Sequence, residues 1–148
     1  QAGVIADGHH LTPETFRAML RAKGIGRAHL VSDVTAIAGL APGLHDTPVG
    51  GRVELSHDGR LSQVATGRLA GAARTLADGV ATAATMADLT LSAAVSLATA
   101  NPGRFTGGRG LLRVGAAADL VTYRWATGAR TLDVTGVVAA GRRVVPVS

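Results

Sequence analysis

Two short apolar runs with one capped helix between them constrain this chain most. Gly3-Val-Ile-Ala-Asp-Gly-His-His10 is apolar at its start and polar at its end. Ala28 to about Val34 repeats that pattern. Neither run alternates, so both strand faces read as buried, as in a parallel sheet covered by helices. The helix between them carries its own start and stop signals. Thr12 is a good N-cap, Pro13 suits the first helical position, and Glu14 favours the positive helix start. Phe16, Met19 and Leu20 share one face, with the Lys23 stem along its edge. Gly24 and Gly26 stop the helix. Strand, helix and strand joined this tightly predict a right-handed βαβ unit.

The second run delivers a carboxylate, Asp33, at its end. The C-terminal ends of buried strands are where α/β barrels place chemistry. Asp also caps turns at strand ends, and that bland role stands beside the catalytic one. Thr35 to Gly51 follows as a long loop of small residues, of a length often tied to function. Asp58-Gly59, flanked by Arg52–Ser56 and Leu61–Ala65, predicts a hairpin. Gly67-Arg-Leu-Ala-Gly71 is a small-residue loop that lets backbone approach a ligand, although tight packing explains it nearly as well.

From Ala72 to about Met86 the chain reads as helix despite Gly79. A second helix starts at Asp88 or Thr90. Leu91, Val95 and Ala98 form its face, with Ala94 beside them, and Asn101-Pro102 ends it. After Gly107–Gly110 the character changes. The segments 119–125, 131–138 and 142–147 are β-branched, and Ala140-Gly141 can turn the last two into a hairpin. The expected division is residues 1–110 as an α/β body, with a hairpin insertion near 52–65, and 111–148 as a small antiparallel module.

The 148 residues are enough for one core. At 47% apolar, the chain is globular rather than disordered. It has no cysteine, which excludes disulfides and thiolate metal sites. No apolar run reaches about 18 residues, so no membrane span is expected. The first residues lack a signal-peptide profile and a starting Met; the chain reads as a cytoplasmic fragment or processed piece. Its net charge of +5 comes from scattered arginines without interleaved aromatics, which disfavours nucleic-acid binding.

Several motifs then fall in order: Ile5-Ala-Asp-Gly-His-His10, Leu30-Val-Ser-Asp-Val34 with Ala38-Gly-Leu40, Gly67-Arg-Leu-Ala-Gly71 with Thr75-Leu76, Ala98-Thr-Ala-Asn-Pro102, and Gly115-Ala-Ala-Ala-Asp-Leu-Val121. Together they resemble the C-terminal part of the N-acetylglucosamine-6-phosphate deacetylases, within the amidohydrolase superfamily. The resemblance implies the C-terminal part of a metal-dependent (β/α)8 TIM barrel, with strands of a small appended β-sandwich. It implies a divalent metal, zinc by preference, whose ligands lie upstream of this chain, so no metal ligand is assigned here. It implies a phosphorylated amino-sugar substrate and a homodimer. The isolated chain is expected to be inactive.

By the same resemblance Asp33 is the catalytic acid and base, taking a proton from metal-activated water and passing one to the departing amine. Asp7, Gly8, His9 and His10 form a substrate-binding segment in which His10 makes the contact and His9 is local variation. Asp7 has a turn-orienting role as its alternative. Adjacent strand residues point oppositely, so His9 and His10 are not expected to chelate one ion. Leu69, Ala70 and Gly71 touch substrate through backbone and apolar contact. Ala72 stands where the family commonly has Ser. Asp119 reads as structural, and His29, His45 and His57 as surface or packing residues. Two alternatives stay open: an amidohydrolase for another amide or cyclic amide, and a truncated interaction module without catalysis.

Overall fold

The computed structural model describes residues 1–48 and 50–144. Strands β1 (Ala2–Ile5) and β2 (Ala28–Val31) pair in parallel, with Val4 opposite Leu30. Helix α1 (Pro13–Lys23) connects them, and the Thr12 hydroxyl accepts from Thr15 N–H at its start. Gly24, at φ 81°, ends it, and one 3-10 turn over Ile25–Arg27 leads into β2. Both strands are shorter than their apolar runs. The first closes at Ile5 because the Asp7 side chain captures the His9 and His10 N–H groups and turns the chain. The second closes at Val31, and Asp33 adopts a left-handed φ of 51°.

One sheet face is the core. Val4, Ala28 and Leu30 pack against Phe16 and Leu20 there. The expectation of two buried faces is corrected on the other side, where Val31 keeps 39% of its surface exposed. Met19, expected in the apolar face of α1, is also exposed. Among the described residues nothing packs beyond β1, so Met19 borders an open groove with Ala2 and Val4.

Strands β3 (Gly43–Thr47), β4 (Gly51–Leu55) and β5 (Leu61–Gln63) form an antiparallel meander. The expected Asp58-Gly59 hairpin joins the last two. The turn spans Ser56 to Arg60, with Gly59 at φ 87°. The loop expected over Thr35–Gly51 is corrected in its second half, which is β3. Its sequence, Gly-Leu-His-Asp-Thr, has no apolar alternation. Pairing with β4, Asp46 opposite Arg52, extends it rather than any pattern of its own. Ile37, Val53, Leu55 and Leu61 make a second, smaller core beneath this meander.

Helix α2 (Leu76–Met86) begins four residues later than expected. Ala72 is held extended by Asp33 and Thr35, and Thr75 caps the helix in a reciprocal box with Asp78. Helix α3 (Leu91–Ala98) is capped by Thr90, whereas Asp88 sits at φ 51° before it. Its buried face is Ala94 and Leu97; the expected Leu91, Val95 and Ala98 lie at the edge of the core. Asn101-Pro102 does not end the helical path but lies within a further turn, α4 (Ala100–Gly103).

Strands β6 (Leu120–Arg124), β7 (Asp133–Ala139) and β8 (Arg142–Val144) form a third sheet, turned at Ala140-Gly141 as expected. Thr131 and Leu132 fall outside β7, and Leu132 packs on the main core with Trp125. The expected strand residues 145–147 lie outside the described ones. Asp119 accepts from Arg109 Nη1 at 3.2 Å and from Ala140 N–H at 2.7 Å, which ties the linker to this sheet. The fold is therefore mixed α/β, with a parallel pair on helices and two antiparallel sheets.

Candidate active site

The loop after β1 is built around Asp7. Its carboxylate is buried and takes three hydrogen bonds: from His9 N–H at 2.9 Å, from His10 N–H at 3.0 Å, and from the His10 ring Nδ1 at 2.8 Å. Burial alone pushes its pKa up. The two backbone donors and the imidazole outweigh that and hold it below the ordinary carboxylate value. Asp7 is thus acceptor-only, so Nδ1 of His10 carries the hydrogen between them. The other ring nitrogen, Nε2, faces Asp33 Oδ2 at 3.8 Å. That is beyond a direct hydrogen bond and close enough for one after a small movement.

Asp33 presents a half-exposed carboxylate at the end of β2. Its backbone is gripped from the other side: Ala72 N–H donates to Asp33 O at 2.9 Å, and Thr35 N–H donates to Ala72 O at 2.9 Å. The residues before Ala72 follow as a strip. Leu69 bridges Ser62, and Ala70 N–H donates to Leu61 O at 3.1 Å. Gly71 lies so close that a Cβ there would stand 2.6 Å from Thr35 Cγ2 and 3.2 Å from Asp33 O. Leu69–Gly71 is therefore a backbone strap joining the meander to Asp33.

Asp33, Ala70 and Gly71 open onto one cavity of about 540 Å³, whose floor is Ile37, Val53 and Leu61 and whose rim includes Thr35 and Asp46. Asp46 was not singled out in the sequence and is unreadable until β3 is known. His9 and His10 diverge, although both lie in the turn after β1 and not on a strand. The His9 ring meets the Asp58 carbonyl at 3.3 Å, beside Arg74 Nη2 at 2.6 Å from the same oxygen. Gly8 and His9 therefore border a second recess, lined also by Asp7, Asp58, Arg74 and Arg130. Away from both, His29 packs edge-on to Phe105, His45 bonds the Ala41 carbonyl at 2.9 Å, and His57 is exposed in the hairpin turn.

Among the described residues no three His, Cys, Asp or Glu side chains converge as a metal site. Asp7, His10 and Asp33 run in a line, with His10 Nδ1 already engaged by Asp7. This chain's donors do not by themselves fit a divalent ion. No helix among the described residues is long and apolar enough to cross a membrane.

A strand-end carboxylate on a βαβ unit, beside a fixed imidazole and a glycine strap, sits where α/β scaffolds place their chemistry. The chain belongs to the amidohydrolase family, whose description matches residues 2–144. In structure it is similar to the N-acetylglucosamine-6-phosphate deacetylase of Pasteurella multocida, at 26% identity and a TM-score of 0.82, over 96% of this chain and 36% of that one. It is similar to the N-acetyl-D-glucosamine-6-phosphate deacetylase of Mycobacterium smegmatis at 30% identity and a TM-score of 0.82, over 97% of this chain and 37% of that one. A mutant of the latter in complex with N-acetyl-D-glucosamine-6-phosphate matches at 29% identity and a TM-score of 0.80, over 97% and 37%. The chain thus spans little more than a third of each relative's length. No curated protein matches it.

Proposed function

We propose that this chain is the C-terminal part of a deacetylase acting on N-acetylglucosamine 6-phosphate, with Asp33 as its acid and base. In this reading β1 and β2 are the closing strands of a (β/α)8 barrel, and β6–β8 are one share of a small sandwich. The observation that carries the reading is Asp33, at a strand end, facing His10 Nε2 at 3.8 Å and held by the Ala72 backbone. Two proteins similar to it in structure are, by name, deacetylases of this phosphorylated amino sugar.

The chemistry assigned to this chain is proton movement. Water adds to the amide carbon, and its proton goes to an Asp33 oxygen. The carbon–nitrogen bond then breaks, and Asp33 returns the proton to the leaving amine, giving acetate and glucosamine 6-phosphate. His10 has one ring nitrogen fixed by Asp7 and the other free toward Asp33. With its Nδ1–H on Asp7, a neutral ring presents Nε2 as an acceptor toward Asp33 while the aspartate holds the proton. The strap Leu69–Gly71 limits how far Asp33 can swing. A divalent metal enters this reading only with ligands outside this chain, and no step is drawn through it.

The test is acetate release from N-acetylglucosamine 6-phosphate by the intact protein containing this chain, with zinc supplied. Asp33→Asn is expected to lower kcat by about 10²–10⁴-fold, the usual range for a lost general acid–base group. Full activity in the Asn form would remove Asp33 from the mechanism. No acetate from a folded, metal-loaded parent would remove the substrate.

A further inference from the structure

The cavity beside Asp33 is larger and more apolar than an acetyl group needs. In the proposed reaction Asp33 stands next to the carbonyl being attacked. The acyl group on that carbonyl is then the part of the substrate nearest the wall behind Asp33. That wall is hydrocarbon: Ile37, Val53 and Leu61 are each buried in the second core and floor the cavity, with Ala70 at its side. Its volume of about 540 Å³ is that of a pocket for a whole small ligand, typically about 300–1,000 Å³, not for one methyl group. A sugar ring needs hydroxyl partners along its edge, and this floor offers none. Polar side chains line the cavity at Asp33, Thr35, Asp46 and Thr47, beside the floor of Ile37, Val53 and Leu61 and not on it.

We infer that this cavity receives the acyl group of the substrate and that it selects acyl chains longer than acetyl on the amino sugar. The inference rests on the proposed amidohydrolase chemistry at Asp33 and deepens its substrate class. Each methylene moved from water onto an apolar wall is worth about a fourfold gain in kcat/KM while the wall continues. The floor of three branched side chains suits a linear chain of several carbons.

The experiment is a series of glucosamine 6-phosphates carrying N-acetyl, N-butanoyl and N-hexanoyl groups, with free amine measured after incubation with the intact, metal-supplied protein. The expected result is a rise in kcat/KM from acetyl to hexanoyl of at least tenfold. Ala36 is exposed at the mouth of this cavity, so Ala36→Phe folds readily and narrows the entrance. It is expected to lower the hexanoyl-to-acetyl ratio at least fivefold. Hydrolysis of the acetyl compound with none of the longer ones overturns the acyl pocket and leaves the deacetylase reading standing. A rising series that Ala36→Phe leaves unchanged places the chain elsewhere and overturns the assignment of this cavity. Amine from none of the three substrates overturns the deacetylase reading itself, and the acyl pocket with it.

Discussion

Asp7 and His10 are joined side chain to side chain, Oδ2 to Nδ1 at 2.8 Å, and the same carboxylate holds the backbone N–H of His10. One buried acid therefore fixes both where His10 sits and which ring nitrogen it turns toward Asp33. The contact is local, three residues apart, and requires only the short loop after β1.

Replacing Asp7 by Asn keeps the shape and removes the charge. Hydrogen bonds to a charged acceptor are worth about 1.5–3 kcal/mol, so Asp7→Asn is expected to lose an amount in that range at pH 7. The sign with pH follows from the depressed pKa of Asp7. Stability from the carboxylate is fully present above its unfolded value, about 3.9, and is lost as pH falls through the lower folded value. Denaturant melts of parent and variant should therefore differ at pH 7 and converge in strong acid. An equal gap at both ends would mean that shape, not charge, does the holding.

The sequence made the βαβ unit legible because its signals are local: Thr12 capping α1, Pro13 behind it, Gly24 stopping it. The Asp58-Gly59 turn was legible for the same reason. Strand β3 was not, because Leu44 to Thr47 carry no periodicity and are extended only by pairing with β4. The start of α2 was misplaced because Ala72-Ala-Arg suits a helix, and a non-local pair of hydrogen bonds to Asp33 and Thr35 overrides that preference. At the site, Asp33, His10 and the Leu69–Gly71 strap came from motifs. Their spatial relation did not, since Asp33 and Gly71 lie far apart in sequence and meet only through backbone contacts. The cavity floor was equally hidden. Val53 and Leu61 look like ordinary hairpin residues until the second core forms around them.

Gly71 has no room for a side chain. It combines φ 87° with an approach that would bring an added Cβ within 2.6 Å of Thr35 Cγ2. Gly71→Ala is expected to lower stability by about 1–3 kcal/mol, the range for a non-glycine residue in a sparsely allowed conformation. Because the strain falls on the segment holding Asp33, kcat should fall with little change in KM. Thermal melting and initial rates on the same preparation check both. Wild-type stability in the Ala form would show that the Thr35 side chain and its loop yield freely. The strap would then not be what positions Asp33.

Asn101 tests how the helices are fastened to the strand that carries Asp33. Its side chain is buried, and Nδ2 donates at 2.8 Å to both Ile25 O and Ala28 O, the carbonyls at the entry to β2. Those carbonyls sit where the 3-10 turn gives way to the strand, so the amide sets where β2 begins. Asn101→Leu is close in size and lacks both donors. Two buried acceptors would lose a partner, at about 1–3 kcal/mol for each one left unpaired. Asn101→Asp keeps the shape but sets a carboxylate against two carbonyls, which repels where the amide attracted. It is expected to be the worse of the two at pH 7 and to recover part of the loss in acid, when the protonated acid can donate one hydrogen bond. Denaturant unfolding of both variants across pH makes the comparison. If Leu is tolerated without loss, the Asn101 amide is not what holds the start of β2, and the placement of Asp33 rests on the pairing with β1 and the Ala72 and Thr35 hydrogen bonds.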